Sequence, residues 1–234
     1  MSTEKQMKTA IIASATGTLL EWYDLFLAVI LAKLLSSQLF PSNSDTAFLE
    51  TLAIVGSSFF VRPIGSLFFG SMGDRKGRKK SFLLSLLLMG GATFLIGLIP
   101  TFNQIGWAAP ILLLALRLAQ GFALSGEYSG AIVYVAENAP ADKRGYYTGF
   151  IQATVPLGLL LCLVVVIGVQ SFMSPEDFAS WGWRLPFLSS AFLVFFSFLA
   201  RRKMDETPVY LEMKASGNLS KSPIKESLNS WKKV

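Results

Sequence analysis

The stretch GSMGDRKGRKKSF (residues 70–82) places five lysines and arginines and one aspartate between two long apolar runs. So much clustered positive charge is typical of nucleic-acid sites, of phosphate loops and of the borders of membrane spans. A phosphate loop requires the spacing G-x-x-x-x-G-K-[ST] after a strand, and that spacing is absent here. A turn this short between apolar runs also offers no element that reads a groove. We therefore expect no nucleic-acid partner.

The composition indicates an integral membrane protein. The 234 residues are 52% hydrophobic and 15% charged, with a formal net charge of +6 and a mean hydropathy of +0.50. A soluble domain of this length carries more charge. Histidine is absent and Cys162 is the single cysteine, which leaves no histidine-based nucleophile, disulfide framework or thiolate metal site. We expect no enzymatic activity, no metal and no cofactor.

The apolar runs have the length of membrane-spanning helices. A helix crosses about 30 Å of hydrocarbon with about 20 residues. Six stretches satisfy this length, and the sequence therefore predicts an all-α protein with six transmembrane helices at about residues 10–35, 48–71, 80–100, 108–136, 146–170 and 184–200.

Positive charge alternates between the connecting segments. Lysines and arginines precede the first stretch, lie between the second and third and between the fourth and fifth, and follow the sixth. The other segments, 36–47, 101–107 and 171–183, contain neither residue. By the positive-inside rule both termini are cytoplasmic. We expect the membrane to be a bacterial-type inner membrane. The 70–82 segment then becomes a tight cytoplasmic turn.

This turn resembles the signature of the major facilitator superfamily. Residues 70–79 match G-x-x-x-D-R-x-G-R-[RK], which that superfamily carries between its second and third helices. Further stretches resemble its metabolite:proton symporter branch, which includes carriers for proline and betaine, 2-oxoglutarate, citrate and shikimate. They are EWYD (21–24), RPIGSLFFG (62–70), RLAQGFALSGEYSGA (117–131), WGWRLPF (181–187) and DETPVY (205–210).

The resemblance implies half of a twelve-helix fold, built as two inverted three-helix repeats. We expect an N-terminal six-helix bundle at 1–203 and a remnant of the central cytoplasmic loop, or a tail, at 204–234. The implied activity is proton-coupled symport of a small organic acid, amino acid or betaine. The alternatives are a truncated fragment without transport activity, or a membrane sensor or assembly partner on the same fold. A missing C-terminal half or a second copy of the chain would be its partner.

Charges within spans are costly, so each of them requires a reason. Glu21, Asp24 and Glu127 are predicted to bind and release the coupled proton, and Arg62, Arg117 and Gln120 are predicted to bind a substrate carboxylate or zwitterion. The depths of the spans place Glu21, Arg62 and Glu127 in one layer near the middle of the bilayer. Structural ion pairing is the alternative reason for these charges.

A second set is assigned to the cytoplasmic gate by the resemblance. Ion pairs among its charged members would hold the inner gate closed, while its glycines let the turn fold tightly. The alternative is that the positive charge only fixes the topology. The set comprises Gly70, Gly73, Asp74, Arg75, Gly77, Arg78, Glu137 and Arg144.

Overall fold

The computed structural model describes residues 3–41, 45–202 and 205–217, and every regular element within these ranges is helical. The α-helices are α1 (Thr3–Ile30), α2 (Ala32–Leu39), α3 (Ala47–Ser57), α4 (Arg62–Lys76), α5 (Arg78–Ile96), α6 (Phe102–Ile105), α7 (Ala108–Asn138), α8 (Arg144–Gln152), α9 (Thr154–Ser171), α10 (Pro175–Asp177), α11 (Arg184–Arg202) and α12 (Pro208–Ala215). A 3₁₀ turn (Ala141–Lys143) precedes α8, and a π turn (Phe178–Gly182) precedes α11.

Six long helical segments correspond to the six predicted spans. Five of them are long and apolar enough to cross a membrane: α3 with α4, α5, α7, α8 with α9, and α11. The sixth is α1, which has 28 residues but is more polar because it carries Glu21 and Asp24. It packs against α7, α9 and α11, so neighbouring helices surround the stretch that holds these charges.

The packing partners repeat after three spans. α1, the first span, packs against α9 of the fifth span, just as α7, the fourth span, packs against α4 of the second. α11, the sixth span, packs against α1, just as α5, the third span, packs against α7. Exchanging each of the first three spans with the span three positions later leaves this pattern unchanged. Because successive spans run in opposite directions, an exchange over three positions reverses the direction of each span. The bundle is therefore two inverted three-helix repeats, as predicted.

The second and fifth spans are both interrupted near a proline. Pro63 occupies the first turn of α4, where its missing N–H is not needed. Pro156 lies in the first turn of α9, and its ring is incompatible with a helical carbonyl four residues earlier, at Gln152. α8 ends at Gln152. The interruptions thus have a local cause in the sequence.

Apolar side chains fill the centre of the bundle and also cover its outside. Leu20, Leu86 and Leu113 are completely buried, whereas Phe60 and Val164 are largely exposed. Exposed apolar residues on this scale suit contact with lipid rather than water. Two glycines of α7 lie at contacts with the second span. A Cβ at Gly126 would overlap Phe69, and one at Gly121 would overlap the backbone of Ser58. Small residues thus permit close approach of α7 to the second span.

The predicted boundary at residue 203 falls outside the described residues, as does the part of the 204–234 segment from 218 onward. Within that segment the structure places α12, whose first turn is capped by the Thr207 hydroxyl accepting from the Tyr210 N–H at 3.3 Å. We call the end of the bundle that carries Gly77, residues 139–143 and Arg202 the basic end. The division into bundle and tail stays a prediction.

Candidate functional site

A buried ion pair joins α1 to α7. Arg117 Nη1 lies 2.9 Å from Asp24 Oδ2, and the two side chains are only 2% and 8% exposed. Both positions belong to the polar stripes of their helices, which the sequence singled out as Glu21–Asp24 and Arg117–Gln120. The two stripes face each other, so charges from separate helices meet within the bundle.

Two neutral side chains complete this cluster. The Thr93 hydroxyl and Gln120 Nε2 donate to Asp24 Oδ1 at 3.0 and 2.7 Å, and Gln120 Nε2 also lies 2.8 Å from Thr93 Oγ1. Asp24 of α1 therefore accepts from two other helices, α5 and α7. The sequence analysis did not identify Thr93, although Ser85, Met89 and Thr93 recur at four-residue intervals on one buried face of α5.

Arg117 and Gln120 were predicted to bind substrate, and here both bind Asp24. Arg117 nevertheless keeps two buried nitrogens, Nε and Nη2, without a hydrogen-bond partner, and Gln120 Oε1 is also unpartnered. Protonation of Asp24 would remove the ion pair and free the whole guanidinium. The structure itself holds the paired state of α1 and α7.

Glu127 makes a second buried ion pair, with Arg201 of α11. Arg201 Nη1 lies 2.6 Å from Glu127 Oε2, Arg201 Nη2 contacts Oε1, and the Ser85 hydroxyl donates to Oε2 at 3.0 Å. The sequence analysis placed Arg201 among the charges that follow the last span. The structure instead buries it completely, because Gly17 of α1 has no side chain to occupy the same space.

The expectation of one layer formed by Glu21, Arg62 and Glu127 stays a prediction, but the surroundings of the three charges differ. Glu127 is enclosed with Arg201, whereas Glu21 and Arg62 both line an open cavity of about 550 Å³. The cavity lies between α1, α4, α7 and α8, and its walls include Trp22, Tyr128 and Gln152. The structure thus separates a closed ion pair from two charges that share an accessible space.

Glu21 and Arg62 make no ion pair with each other or with any other described residue. Glu21 is 4% exposed, and its Oε2 has no hydrogen-bond partner. Arg62 Nε and Trp22 Nε1 are likewise buried without partners, and the Arg62 guanidinium lies 4.0 Å from the centre of the Phe59 ring. Buried polar atoms normally find partners, and these three lie without one around a single cavity.

Three residues of the predicted gate meet at the basic end. Arg78 Nη2 lies 2.9 Å from Asp74 Oδ1 and 3.6 Å from Glu137 Oε1, which connects the turn between α4 and α5 to the end of α7. Arg75 and Arg144 are exposed and make no ion pair within the part of the chain that the structure describes. Among the described residues, the charged members of the predicted gate therefore divide into a connected trio, Asp74, Arg78 and Glu137, and two arginines without an ion pair, Arg75 and Arg144.

The glycines of the gate differ in what they permit. Gly77 has φ = 101°, a backbone conformation that other residues rarely adopt, and a Cβ there would collide with the Glu206 carboxylate. A Cβ at Gly73 would come close to the Arg78 guanidinium, at 2.9 Å from Nη1, whereas one at Gly70 would meet nothing within 4 Å. Gly73 and Gly77 thus allow the turn to close around its charged partners.

The sequence analysis assigned no role to Glu206. Its Oε1 accepts from the backbone N–H groups of Arg78 at 2.7 Å and Lys79 at 3.3 Å, at the start of α5. A carboxylate at this place satisfies free N–H groups and opposes the positive end of the helix dipole. No local pattern indicates this contact, because Glu206 and the start of α5 lie more than 120 positions apart in the sequence.

Within the described ranges, no group of three acidic or cysteine residues is arranged to hold a metal ion. Inverted three-helix repeats with charges buried among the spans are an arrangement found in many secondary transporters.

The comparisons agree with this class. Residues 9–234 match the family described as "Sugar (and other) transporter", and the chain belongs to this family of the major facilitator superfamily. Its members are transporters and not enzymes. The superfamily inferred from residues 70–79 is thus confirmed.

Curated relatives include a putative metabolite transport protein of Haemophilus influenzae, 42% identical over 216 residues, which cover 90% of this chain and 48% of that protein. The shikimate transporter of Escherichia coli strain K12 is 41% identical over 86% of this chain and 46% of its own length. A glycine betaine/proline/ectoine/pipecolic acid transporter of Dickeya dadantii is 36% identical over 88% of this chain and 41% of its own length.

The fold is similar to that of the proton:xylose symporter XylE. A structure of XylE bound to 6-bromo-6-deoxy-D-glucose gives a TM-score of 0.80 at 19% identity, covering 93% of this chain and 48% of that one. The chain thus spans about half the length of the relatives that it matches, and it corresponds to their N-terminal half.

Proposed function

We propose that the protein is the N-terminal half of a proton-coupled symporter for a small organic acid, amino acid or betaine. The observation that carries the proposal is the Asp24–Arg117 ion pair, which is buried and closed by Thr93 and Gln120. Of the three carboxylates predicted to carry the proton, Asp24 alone pairs with a guanidinium that retains unpartnered N–H groups.

Coupling follows from the positions of the ion pair and the cavity. Asp24 lies one turn from Glu21 on α1, about 4.5 Å along the helix axis. The cavity is lined by the same two helices that the ion pair joins, α1 and α7. Protonation of Asp24 would loosen α1 from α7 and alter the walls around the substrate. Substrate bound between the helices would in turn bias the ion pair, and this linkage is reciprocal.

The predicted orientation supports the same function. With both termini cytoplasmic in a bacterial inner membrane, the basic end faces the cytoplasm. The trio of Asp74, Arg78 and Glu137 then lies at the inner entrance, where it would hold α4 and α5 to α7 while the carrier is open outward. Release of the trio would accompany opening inward.

A second six-helix half, or a second copy of the chain, would form the other wall of the cavity. The cavity is open to the surroundings of the bundle, and the curated relatives are about twice as long as this chain. The same length difference favours one other candidate, a fragment or sensor that binds a ligand without carrying it.

Uptake by membrane vesicles that contain this half together with the half that forms the other wall of the cavity tests the proposal. Under an imposed proton gradient, the wild type should concentrate a labelled substrate, whereas Asp24→Asn should lose this accumulation and keep exchange across the membrane. An Asp24→Asn variant that still accumulates substrate like the wild type would remove Asp24 from the coupling. A wild type that binds substrate and moves none would establish the second candidate.

A further inference from the structure

We propose that a groove between α5 and α11 binds one anionic phospholipid, whose acyl chain lies in the groove and whose phosphate meets Lys79, Lys80 and Arg202. The ligand is a component of the membrane and not the transported substrate. The groove lies between the third and sixth spans and shares no residue with the cavity that Glu21 and Arg62 line. Its occupancy can therefore be tested independently of the proposed function.

The groove has a volume of about 500 Å³, and its lining residues are all apolar. A Cβ at Gly90 of α5 would overlap Val194 of α11, so this glycine lets the two helices approach closely. A Cβ at the next position, Gly91, would meet nothing within 4 Å. Leu87 and Phe195 border the same groove and are exposed. An apolar hollow on the outside of membrane-spanning helices suits a hydrocarbon chain.

Each of the two helices leads from the groove to a cation at the basic end. On α5, Lys80 precedes Leu87 and Phe94 by 7 and 14 positions, a spacing that places all three residues on one face of the helix. On α11, Arg202 follows Phe198 by four positions and lies on the face that borders the groove. The apolar groove therefore ends at two cations.

The depth of the groove matches one leaflet of a bilayer. Lys80 and Phe94 are separated by about 21 Å along the axis of α5, whereas half of the hydrocarbon thickness is about 15 Å. A lipid with its phosphate near Lys80 can thus extend one acyl chain along the whole groove. The lipid would come from the leaflet at the basic end.

Three cations gather where the groove reaches the basic end. Lys79 Nζ donates to the backbone carbonyl of Arg202 at 2.8 Å, which joins the start of α5 to the end of α11. Lys80 and Arg202 are exposed, and none of the three cations makes an ion pair with a residue that the structure describes. The Glu206 carboxylate nearby accepts from the backbone N–H groups of Arg78 and Lys79 instead. The positive charge of this cluster is therefore free to meet a phosphate.

The same cations argue against a second copy of the chain in the groove. In a dimer whose two-fold axis runs along the membrane normal, the clusters of both copies would lie at one level, and like charges repel each other. A zwitterionic phospholipid could also place a chain in the groove, but its ammonium group offsets the charge of its phosphate. A lipid with a net negative headgroup is the occupant that uses both the groove and the cations.

Native mass spectrometry of the purified protein in detergent, titrated with one phospholipid at a time, tests the preference. Phosphatidylglycerol and phosphatidylcholine with identical acyl chains differ only in their headgroups. The wild type should bind the first phosphatidylglycerol at least about tenfold more tightly than phosphatidylcholine, as expected for several cations near an anionic headgroup. Lys80→Gln combined with Arg202→Gln should remove this preference. Lys76→Gln combined with Lys143→Gln removes two exposed cations of the same end and should retain it.

A photoreactive lipid locates the site. Phosphatidylglycerol with a diazirine in the middle of one acyl chain should label chiefly residues 87–94 and 191–198. Gly91→Leu places a side chain in the groove and should abolish most of this labelling. Gly168→Leu is the matched control, because an added Cβ at this position of α9 would also meet nothing within 4 Å.

Three results would overturn the proposal, and two of them need no variant. They are equal affinity of the wild type for the two lipids, labelling spread evenly over the outward-facing helices, and an unchanged preference after Lys80→Gln with Arg202→Gln. The melting temperature in lipid-free detergent checks that each variant folds. It should equal that of the wild type for Lys80→Gln with Arg202→Gln, because the Arg202 backbone carbonyl that Lys79 contacts is retained.

Discussion

Arg201 and Glu127 form an ion pair inside the bundle, where their side chains are 1% and 0% exposed. Arg201 also donates to the backbone carbonyls of Ala13 at 3.2 Å and Phe82 at 3.0 Å. One guanidinium thereby connects α11 to α1, α5 and α7. Since both partners are satisfied and enclosed, this pair ties four helices together, and the proton role of Glu127 stays a prediction.

Removal of Arg201 alone should destabilise the bundle strongly. Breaking one partner of a buried ion pair leaves an uncompensated charge and typically costs roughly 3–5 kcal/mol. We expect Arg201→Met to lower the melting temperature of the purified protein, and Glu127→Gln together with Arg201→Gln to recover much of the loss. Arg202→Met is the matched control because Arg202 is exposed. Equal melting temperatures for Arg201→Met and Arg202→Met would show that the Arg201–Glu127 ion pair does not stabilise the bundle.

Gly17 should tolerate no side chain, because Arg201 and Glu127 occupy the space where its Cβ would lie. Glycine-to-alanine changes inside helices are otherwise stabilising by about 1 kcal/mol. We expect Gly17→Ala to lower the melting temperature. Gly91→Ala, in a helix with nothing within 4 Å of the added Cβ, should leave it unchanged or raise it. A rise for both variants would show that the space at Gly17 is not needed.

The positions of the spans could be predicted from the sequence, because hydropathy over about 20 residues depends on the local chain alone. Which charged residues of these spans form ion pairs could not be predicted. Arg201 stands beside Arg202 and Lys203 at the end of an apolar run, which is the pattern of a topology signal. Its burial depends on Gly17, 184 positions earlier in the sequence. Ser190, Ser197 and Arg201 do share one buried face of α11, and this stripe was the available signal.

The candidate site could be predicted only in part, because the sequence shows which residues share a helix face but not which residues of another helix they meet. The polar stripes of α1 and α7 follow from helical spacing, so Asp24 and Arg117 could be placed on facing helices. Which carboxylate meets which guanidinium depends on the relative shift of the helices along their axes. Depth counted from span ends cannot decide these partners, because a shift of one helical turn exchanges them. The proton and substrate roles of these residues stay predictions.

Glu206 should hold the start of α5 in place. Its carboxylate accepts from the N–H groups of Arg78 and Lys79, and loss of such a contact costs about 1 kcal/mol. Glu206→Ala should therefore accelerate hydrogen exchange in the first turn of α5, measured by mass spectrometry. Glu212→Ala removes an exposed carboxylate of α12 and serves as the control. Unchanged exchange in Glu206→Ala would show that the cap contributes little.

Asp74 should affect transport without affecting insertion. In Asp74→Asn the 2.9 Å ion pair with Arg78 is lost, while all positive charges that orient the chain remain. We expect normal amounts of protein in the membrane fraction and a reduced uptake rate. Asp142→Asn, at an exposed position of the same end, provides the control. If Asp74→Asn instead reduced membrane insertion, the turn would act in topology and not in gating.

The orientation can be measured with reporter fusions. Alkaline phosphatase is active only after export, because it needs oxidising conditions to form its disulfides. Fused after Gln104, between α5 and α7, it should be active, and fused after Gly217 it should be inactive. Fusions of a fluorescent protein that folds in the cytoplasm should give the opposite result at the two positions. Active phosphatase after Gly217 would place the basic end outside and would remove the assignment of Asp74, Arg78 and Glu137 to an inner gate.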